Sequence, residues 1–298
     1  MFACNYVETD VFETIEYEAS GGIATIRLNR PEKRNAYNTR MMNELVAAFD
    51  RSDADDDVGA VILTASGDVF CAGADLSGGA GTFAQLRDDP ERAALRHGDL
   101  WRDGGGVASL RIFESLKPVV AAINGPAIGV GATMILACDV RIASDTARFG
   151  YVFTQRGLVP EAASSWFLPR IVGLSRALEW TMGACMVSAE EALEAGLVRE
   201  ICARDELVPR AHEIAGRFLS GSRVAAALTR QMMWRMAGAA HPMEAHRVDS
   251  RAIAALRASP DTMEAVAAFL EKRQANFKGK VSDDLPDIWS DGAHPKFY

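Results

Sequence analysis

The 298-residue chain has five cysteines, Cys4, Cys71, Cys138, Cys185 and Cys202, with no CxxC pair and no cysteine–histidine cluster. Scattered thiols in odd number exclude a disulfide framework and point to reduced, structural cysteines in a cytoplasmic protein. The five histidines lack metal-ligand spacing, so no metal is expected. Long apolar runs are missing too, because Gly, Pro or Asp breaks each candidate before it reaches membrane-spanning length. The first residues, MFACNYVETD, have no basic region followed by an apolar run, and no secretory signal is expected. Positive charge is the scarcer sign: 32 Lys and Arg against 40 Asp and Glu give a net charge of -8 and a pI near 5.3, which disfavours a nucleic-acid partner.

What the chain does have is 49% hydrophobic and 24% charged residues with a mean hydropathy of -0.01, the balance of a globular protein with a large core. One large domain or two would fit this length. Alternation over Val11 to Tyr17 and Ile23 to Leu28, separated by Ser20-Gly21-Gly22, predicts a β-hairpin with one buried face. Asn38 or Thr39 then caps a helix through Asp50, with Met42, Leu45, Val46 and Phe49 on one side. Ala60 to Leu63 is a short buried strand. Residues 77–106 read as an irregular segment with a helix around Arg92 to Trp101, and Val107 to Ser115 as a further helix. His97, Asp99 and Asp103, in that segment, could approach a substrate pocket, but surface placement is the expectation.

The stretch KPVVAAINGPAIGVGATMILACD, Lys117 to Asp139, holds a buried strand (Val119 to Ile123), a glycine-rich turn and an apolar helix (Ala132 to Cys138). Such a turn aims the open N–H groups of a helix N-terminus at one point, where an anion or an oxygen gaining charge would be held. Taken alone, it is equally compatible with close packing. Its spacing is neither the dinucleotide fingerprint nor a phosphate loop. Further on come a strand at Val140 to Ala143, a loop from Phe149 to Pro160 and a helix from Ala162. A capping box at Ser188 to Glu191 and a strand at Leu197 to Ile201 follow. Helices over Asp205–Ser220, Arg223–Met236, Pro242–Leu256 and Asp261–Asn276 complete the chain.

Two more stretches carry chemistry. Asn29 to Asn38 (NRPEKRNAYN) joins a strand to a helix and bears Lys33 and Arg34 together; Phe70 to Leu76 (FCAGADL) is built of small residues that allow close backbone approach. In this order and spacing, the three stretches resemble the enoyl-CoA hydratase/isomerase (crotonase) superfamily, from about Val11 to Lys278, including the late AFLEKR run.

That resemblance implies an α/β fold, a spiral of ββα units over residues 1–204 with a helical region over 205–298 that builds homotrimers or dimers of trimers. It implies an acyl-CoA thioester substrate and no separate cofactor. The backbone around Lys33 to Ala36 and from Ala72 through Asp75 to Leu76 would hold the adenine end, with Lys33, Arg34 and Lys272 near the phosphates. The N–H groups of Ala74 and Val130, or Gly129 in a register shifted by one, would face the thioester oxygen.

The sequence departs from the pattern at the acid–base groups. Hydratases of the family use two glutamates, and the matching positions here are Thr133 and Phe153. Glu161, in Gly157-Leu158-Val159-Pro160-Glu161, resembles instead the single base of Δ3,Δ2-enoyl-CoA isomerases, which returns the proton it removes. Isomerisation through Glu161 is therefore the leading expectation. Single-glutamate hydration and a catalytically silent acyl-CoA-binding oligomer are the alternatives. Without the resemblance, Glu161 is an acidic residue in the first turn of a helix, favourable by dipole alone.

Overall fold

The structure, a computed structural model, describes residues 12–85, 90–98 and 100–289. Strands β1 (Ile15–Ser20) and β2 (Ile23–Leu28) form the expected hairpin, Ile15 opposite Leu28 and Ser20 opposite Ile23. Gly21 and Gly22 turn it at φ 59 and 84, a conformation that glycine adopts without steric cost. The strand begins at Ile15; Val11 lies outside the described residues. Helix α1 (Thr39–Ala54) is capped by Asn38, whose side chain accepts the Met41 N–H at 2.9 Å, and it runs past the expected end at Asp50. Strand β3 (Ala60–Ala65) pairs parallel to β2.

The segment before the next main strand differs from expectation. It holds a short helix α2 (Thr82–Gln85) and a 3-10 turn over Pro90–Leu95. A hairpin of the two-residue strands β4 (Arg96–His97) and β5 (Leu100–Trp101) follows, so the helix expected around Arg92 to Trp101 is limited to that 3-10 stretch among the described residues. Pro90 cannot donate an N–H within a helix, and Gly98 at φ 58 reverses the chain. Helix α3 (Gly104–Phe113) starts before the expected Val107 because Asp103 caps it, accepting the Gly106 N–H at 2.8 Å.

The glycine-rich stretch folds as β6 (Val119–Ile123), β7 (Ala127–Ile128) and α4 (Val130–Met134), which tightens into a 3-10 turn over Ile135–Ala137. After β8 (Val140–Ser144) and β9 (Arg148–Gly150) come α5 (Ser164–Val172), α6 (Leu174–Met182), β10 (Met186–Ser188) and α7 (Ala189–Glu194). Strand β11 (Glu200–Cys202) begins later than the expected Leu197, since the Leu197 and Val198 N–H groups still donate to Ala192 O in the turn that ends α7.

Six strands form the main sheet in the order β1-β2-β3-β6-β8-β11, parallel except for β1. Both faces are covered, which is why β6 is apolar throughout and β3 is apolar but for Thr64, whose hydroxyl donates to Ala122 O. Ile26, Leu28, Val61, Leu63, Val119 and Ala121 face the α1 and α3 side. Ile62, Val120, Ala122 and Ile142 pack on Leu207, Ala211 and Ile214 of α8 (Leu207–Phe218). A smaller sheet, β10-β9-β7, leads into α4 and carries the candidate site.

Beyond α8 lie α9 (Arg223–Met236), α10 (Pro242–Leu256), α11 (Pro260–Glu271) and α12 (Val281–Asp284), with a separate apolar cluster around Leu228, Val248, Ala252 and Ile288. Helix α11 stops before the expected Asn276. Lys272 turns left-handed at φ 55, and the Asn276 N–H folds back onto Glu264 at 2.7 Å. Among the described residues no helix is long and apolar enough to cross a membrane.

Candidate active site

Two loops run side by side to make the first half of the site. The 70–75 segment lies parallel to β7, with the Phe70 and Cys71 N–H groups on Pro126 O (3.0 and 3.2 Å) and the Ile128 N–H on Cys71 O (2.8 Å). On its other side, the Tyr37 N–H donates to Gly73 O and the Asp75 N–H to Tyr37 O, both at 2.8 Å. The Gly129 N–H is taken by Gly150 O at 2.8 Å. The N–H groups of Ala74 and Val130 are not among the bonds that tie these loops together. Val130 is the first residue of α4, where a helix leaves its N–H without an internal acceptor. The approach depends on glycine: Gly73 stands at φ 94, where a Cβ would meet Ile128 O at 3.1 Å, and Gly129 at φ 54.

Glu161 supplies the other half, and it is not in the first turn of a helix. Ala162 and Ala163 both adopt left-handed backbone (φ 61 and 53), and α5 starts only at Ser164. Each such non-glycine residue costs on the order of 1 kcal/mol, and together they turn Glu161 inward rather than along the helix. Its Oε1 accepts the Thr133 hydroxyl at 2.6 Å, while Oε2 is buried without a hydrogen-bond partner. Burial first, and then the neighbouring Asp103 carboxyl, push Glu161 up to about 9; the Thr133 hydroxyl pulls the other way. Space for the carboxyl exists because residue 105 is glycine: a Cβ there would overlap Glu161 Oε2. The Tyr37 hydroxyl donates to Gly104 O at 2.8 Å, and burial, followed by the charges of Glu161 and Asp103, holds that phenol well above its ordinary value.

These groups border a cavity of about 1060 Å³. Of the sequence-predicted residues it brings together Ala72, Ala74, Asp75, Leu76, Val130 and Glu161. Asp75 is fixed by Arg30 at 2.9 Å and by the Ser77 N–H at 3.0 Å; against the effect of burial, these partners keep its carboxyl below the usual range. Lys33, Arg34, Ala36 and Lys272 do not line the cavity. Lys33 and Arg34 are exposed on the turn that follows Arg30, the Ala36 carbonyl accepts from Arg30 at 2.5 Å, and Lys272 is exposed at the end of α11.

Phe153 forms wall, and Thr133 is fully buried beneath Glu161. Asp139 is structural, bound to the Val119 N–H, Arg230 and Trp234. Trp166 and Phe167 meet Phe113 edge-on, and Phe167 also meets Trp234 edge-on, rather than line the cavity. His97 is exposed, and Asp99 lies outside the described residues.

Asp103 is exposed, as expected, and it also borders the cavity. Its signal was present: Asp103 followed by Gly104-Gly105-Gly106 is an N-cap before residues that permit close approach. Tyr37 and Arg30 were missed, though both sit inside the NRPEKRNAYN stretch.

A fold of ββα units in which Ala74, Val130 and a buried carboxyl border one large cavity is that of an acyl-thioester enzyme of the crotonase type. The profile of the enoyl-CoA hydratase/isomerase family matches residues 18–280, and the chain belongs to that family. An enoyl-CoA hydratase of Alternaria alternata is 39% identical over 264 residues, 88% of this chain and 85% of that protein. A 4-chlorobenzoyl coenzyme A dehalogenase of Arthrobacter is 38% identical over 202 residues, 67% of this chain and 70% of that one. Among solved structures, the enoyl-CoA hydratase from Bacillus anthracis superposes with a TM-score of 0.81 at 29% identity, covering 90% of this chain and all of that one.

Proposed function

We propose that the chain hydrates a 2-enoyl thioester of coenzyme A. The Ala74 and Val130 N–H groups hold the thioester oxygen as it becomes an enolate, and Glu161 moves the protons. The observation that carries this reading is the buried Glu161 carboxyl, fixed at Oε1 by Thr133 and open at Oε2, on the wall of the cavity those N–H groups border. Charge developing on the oxygen meets fixed dipoles that need no reorganisation, and each donor of this kind contributes about 3–4 kcal/mol in other enzymes. The α4 N-terminus adds its dipole. Hydration is favoured over the isomerisation that the sequence alone suggested because similar proteins over nearly the whole chain are named hydratases.

Isomerisation of a 3-enoyl thioester stays as the second reading, favoured by Thr133 and Phe153 at the positions where the hydratase pattern has glutamates. In either reaction the coenzyme would lie along Ala72 to Leu76, with Lys33, Arg34 and Lys272 at its phosphates, and no other cofactor is required. Self-association as a homotrimer or dimer of trimers would draw on apolar residues of α9 to α11 that stand open in one chain, Met233, Ile253 and Phe269 at 71%, 68% and 82% exposure.

Purified protein assayed on 2-enoyl- and 3-enoyl-CoA of several lengths tests the choice. A 3-hydroxyacyl-CoA product from the 2-enoyl substrate is expected. Conversion of the 3-enoyl substrate alone would overturn hydration in favour of the second reading.

A further inference from the structure

We propose that Arg92 binds a carboxylate at the far end of the acyl group, so that the substrate is the coenzyme A thioester of an unsaturated dicarboxylic acid. The inference rests on the hydration reading and names its substrate class.

Arg92 stands half-buried in the 3-10 turn over Pro90–Leu95 and borders the cavity. Its Nε is buried without a hydrogen-bond partner, and the bond from its Nη2 to Arg102 O is long at 3.5 Å. Among the described residues no carboxylate pairs with it. Glu91, its neighbour in sequence, goes to Arg40 at 2.8 Å, and Asp103 accepts the Gly106 N–H at 2.8 Å. Arg30 and Arg40 border the same cavity, but both are matched, by Asp75 and Glu91. A guanidinium keeps its charge at any ordinary pH and has five N–H groups to place. One that is partly withdrawn from water with a bare Nε lacks an anionic acceptor. Its planar fork matches the two oxygens of a carboxylate.

The position of the guanidinium selects the acyl end of the substrate. Its Nη1 lies 3.7 Å from where a Gly104 Cβ would stand, beside the Tyr37 ring at 3.9 Å and Met42 Sδ at 3.1 Å from the same point. The next residue, Gly105, is the one that packs against Glu161 Oε2. Arg92 therefore belongs to the part of the cavity around Glu161, where the reacting carbons lie, and not to the Ala72–Leu76 segment along which the coenzyme would run. An acyl group that continues past Glu161 meets a cation there, which a methyl end would leave bare and a carboxylate would satisfy.

The test compares 2-enoyl-CoA thioesters of matched length, one series ending in a methyl group and the other in a carboxylate, on wild type, Arg92→Met and Arg92→Lys. Binding of the saturated thioesters and of free coenzyme A is measured by calorimetry alongside. Wild type should favour the carboxylate end by about 10- to 100-fold in kcat/KM at the length that reaches Arg92. Arg92→Met should lose that preference, and Arg92→Lys should keep part of it, because it retains the charge without the fork. Wild-type preference for the methyl end at every length, or an unchanged preference in Arg92→Met, would overturn the proposal. So would equal weakening of free coenzyme A and both series, which would assign Arg92 to a coenzyme phosphate. Should Arg92→Met fail to fold, the wild-type preference and the Arg92→Lys comparison decide. Tighter binding of the saturated carboxylate series in a protein that hydrates no enoyl-CoA would leave the carboxylate site standing and refute hydration. Hydration without a preference would do the reverse.

Discussion

The Thr133 hydroxyl donates to Glu161 Oε1 at 2.6 Å across 28 positions of sequence. Thr133, the residue that the family resemblance puts at a hydratase glutamate position, serves here as the holder of a different glutamate. A hydroxyl in that place cannot remove a proton at neutral pH, but it orients a carboxylate and favours its charged form.

Glu161→Gln is expected to lower turnover by about 10²- to 10⁴-fold while acyl-CoA binding is retained. It should also change stability with pH in a defined direction. The folded chain holds the Glu161 proton up to about pH 9, against an ordinary value of 4.5, so folding takes up a proton between those limits. The stability tied to that proton is fully present below 4.5 and is lost as pH rises through the window. The Gln variant lacks this loss and should be more stable than wild type at pH 8, by roughly 1–3 kcal/mol. Urea melts of both proteins at pH 5 and pH 8 check it; equal pH dependence would refute a buried, protonated Glu161.

Thr133→Val keeps the volume and removes the hydroxyl. A hydrogen bond to a neutral carboxyl contributes about 0.5–1.5 kcal/mol, so kcat should fall roughly 2- to 10-fold. Because the hydroxyl lowers the Glu161 value, its loss should move the ionisation seen in the pH–rate profile to higher pH. A profile identical to wild type would mean that Thr133 only fills space.

Much of this was readable in the sequence, and the gaps have physical reasons. Helices α9 and α10 have the limits read from their caps, because Ser222 accepts the Ala225 N–H and Pro242 fits a first helical position. Strands β7, β9 and β10 were not read, since two or three residues carry no period. The loops bearing Ala74 and Val130 were legible through their glycines, whereas the Thr133–Glu161 contact joins residues far apart in the chain. The inward turn of Glu161 depends on two alanines in left-handed backbone, a conformation that alanine does not announce.

Gly105→Ala separates the site from the fold. The added methyl would overlap Glu161 Oε2, while alanine is a better helix former than glycine at that position in α3. The Glu161 carboxyl should be displaced and turnover should fall by at least about 10²-fold, with far-UV circular dichroism unchanged. Activity near the wild-type level would show that Glu161 works from another position.

Arg230 ties the C-terminal helices to the sheet. From α9 it reaches Asp139 at 2.8 Å and the carbonyls of Ile112, Phe113 and Ser115 at 2.9, 2.7 and 2.6 Å, so it satisfies the end of α3 while neutralising a carboxylate. Only 6% of it is exposed, which denies water any role as substitute. Arg230→Met keeps the apolar stem but leaves Asp139 charged and the carbonyls unpaired. Breaking one side of a buried pair costs about 3–5 kcal/mol. The variant should lose that much in urea denaturation yet turn over normally where still folded, since Arg230 does not line the cavity. Arg230→Met with Asp139→Asn should recover part of the loss, because the second change removes the stranded charge but not the unpaired carbonyls. A double variant no more stable than the single one would locate the cost in the carbonyls of α3 rather than in Asp139.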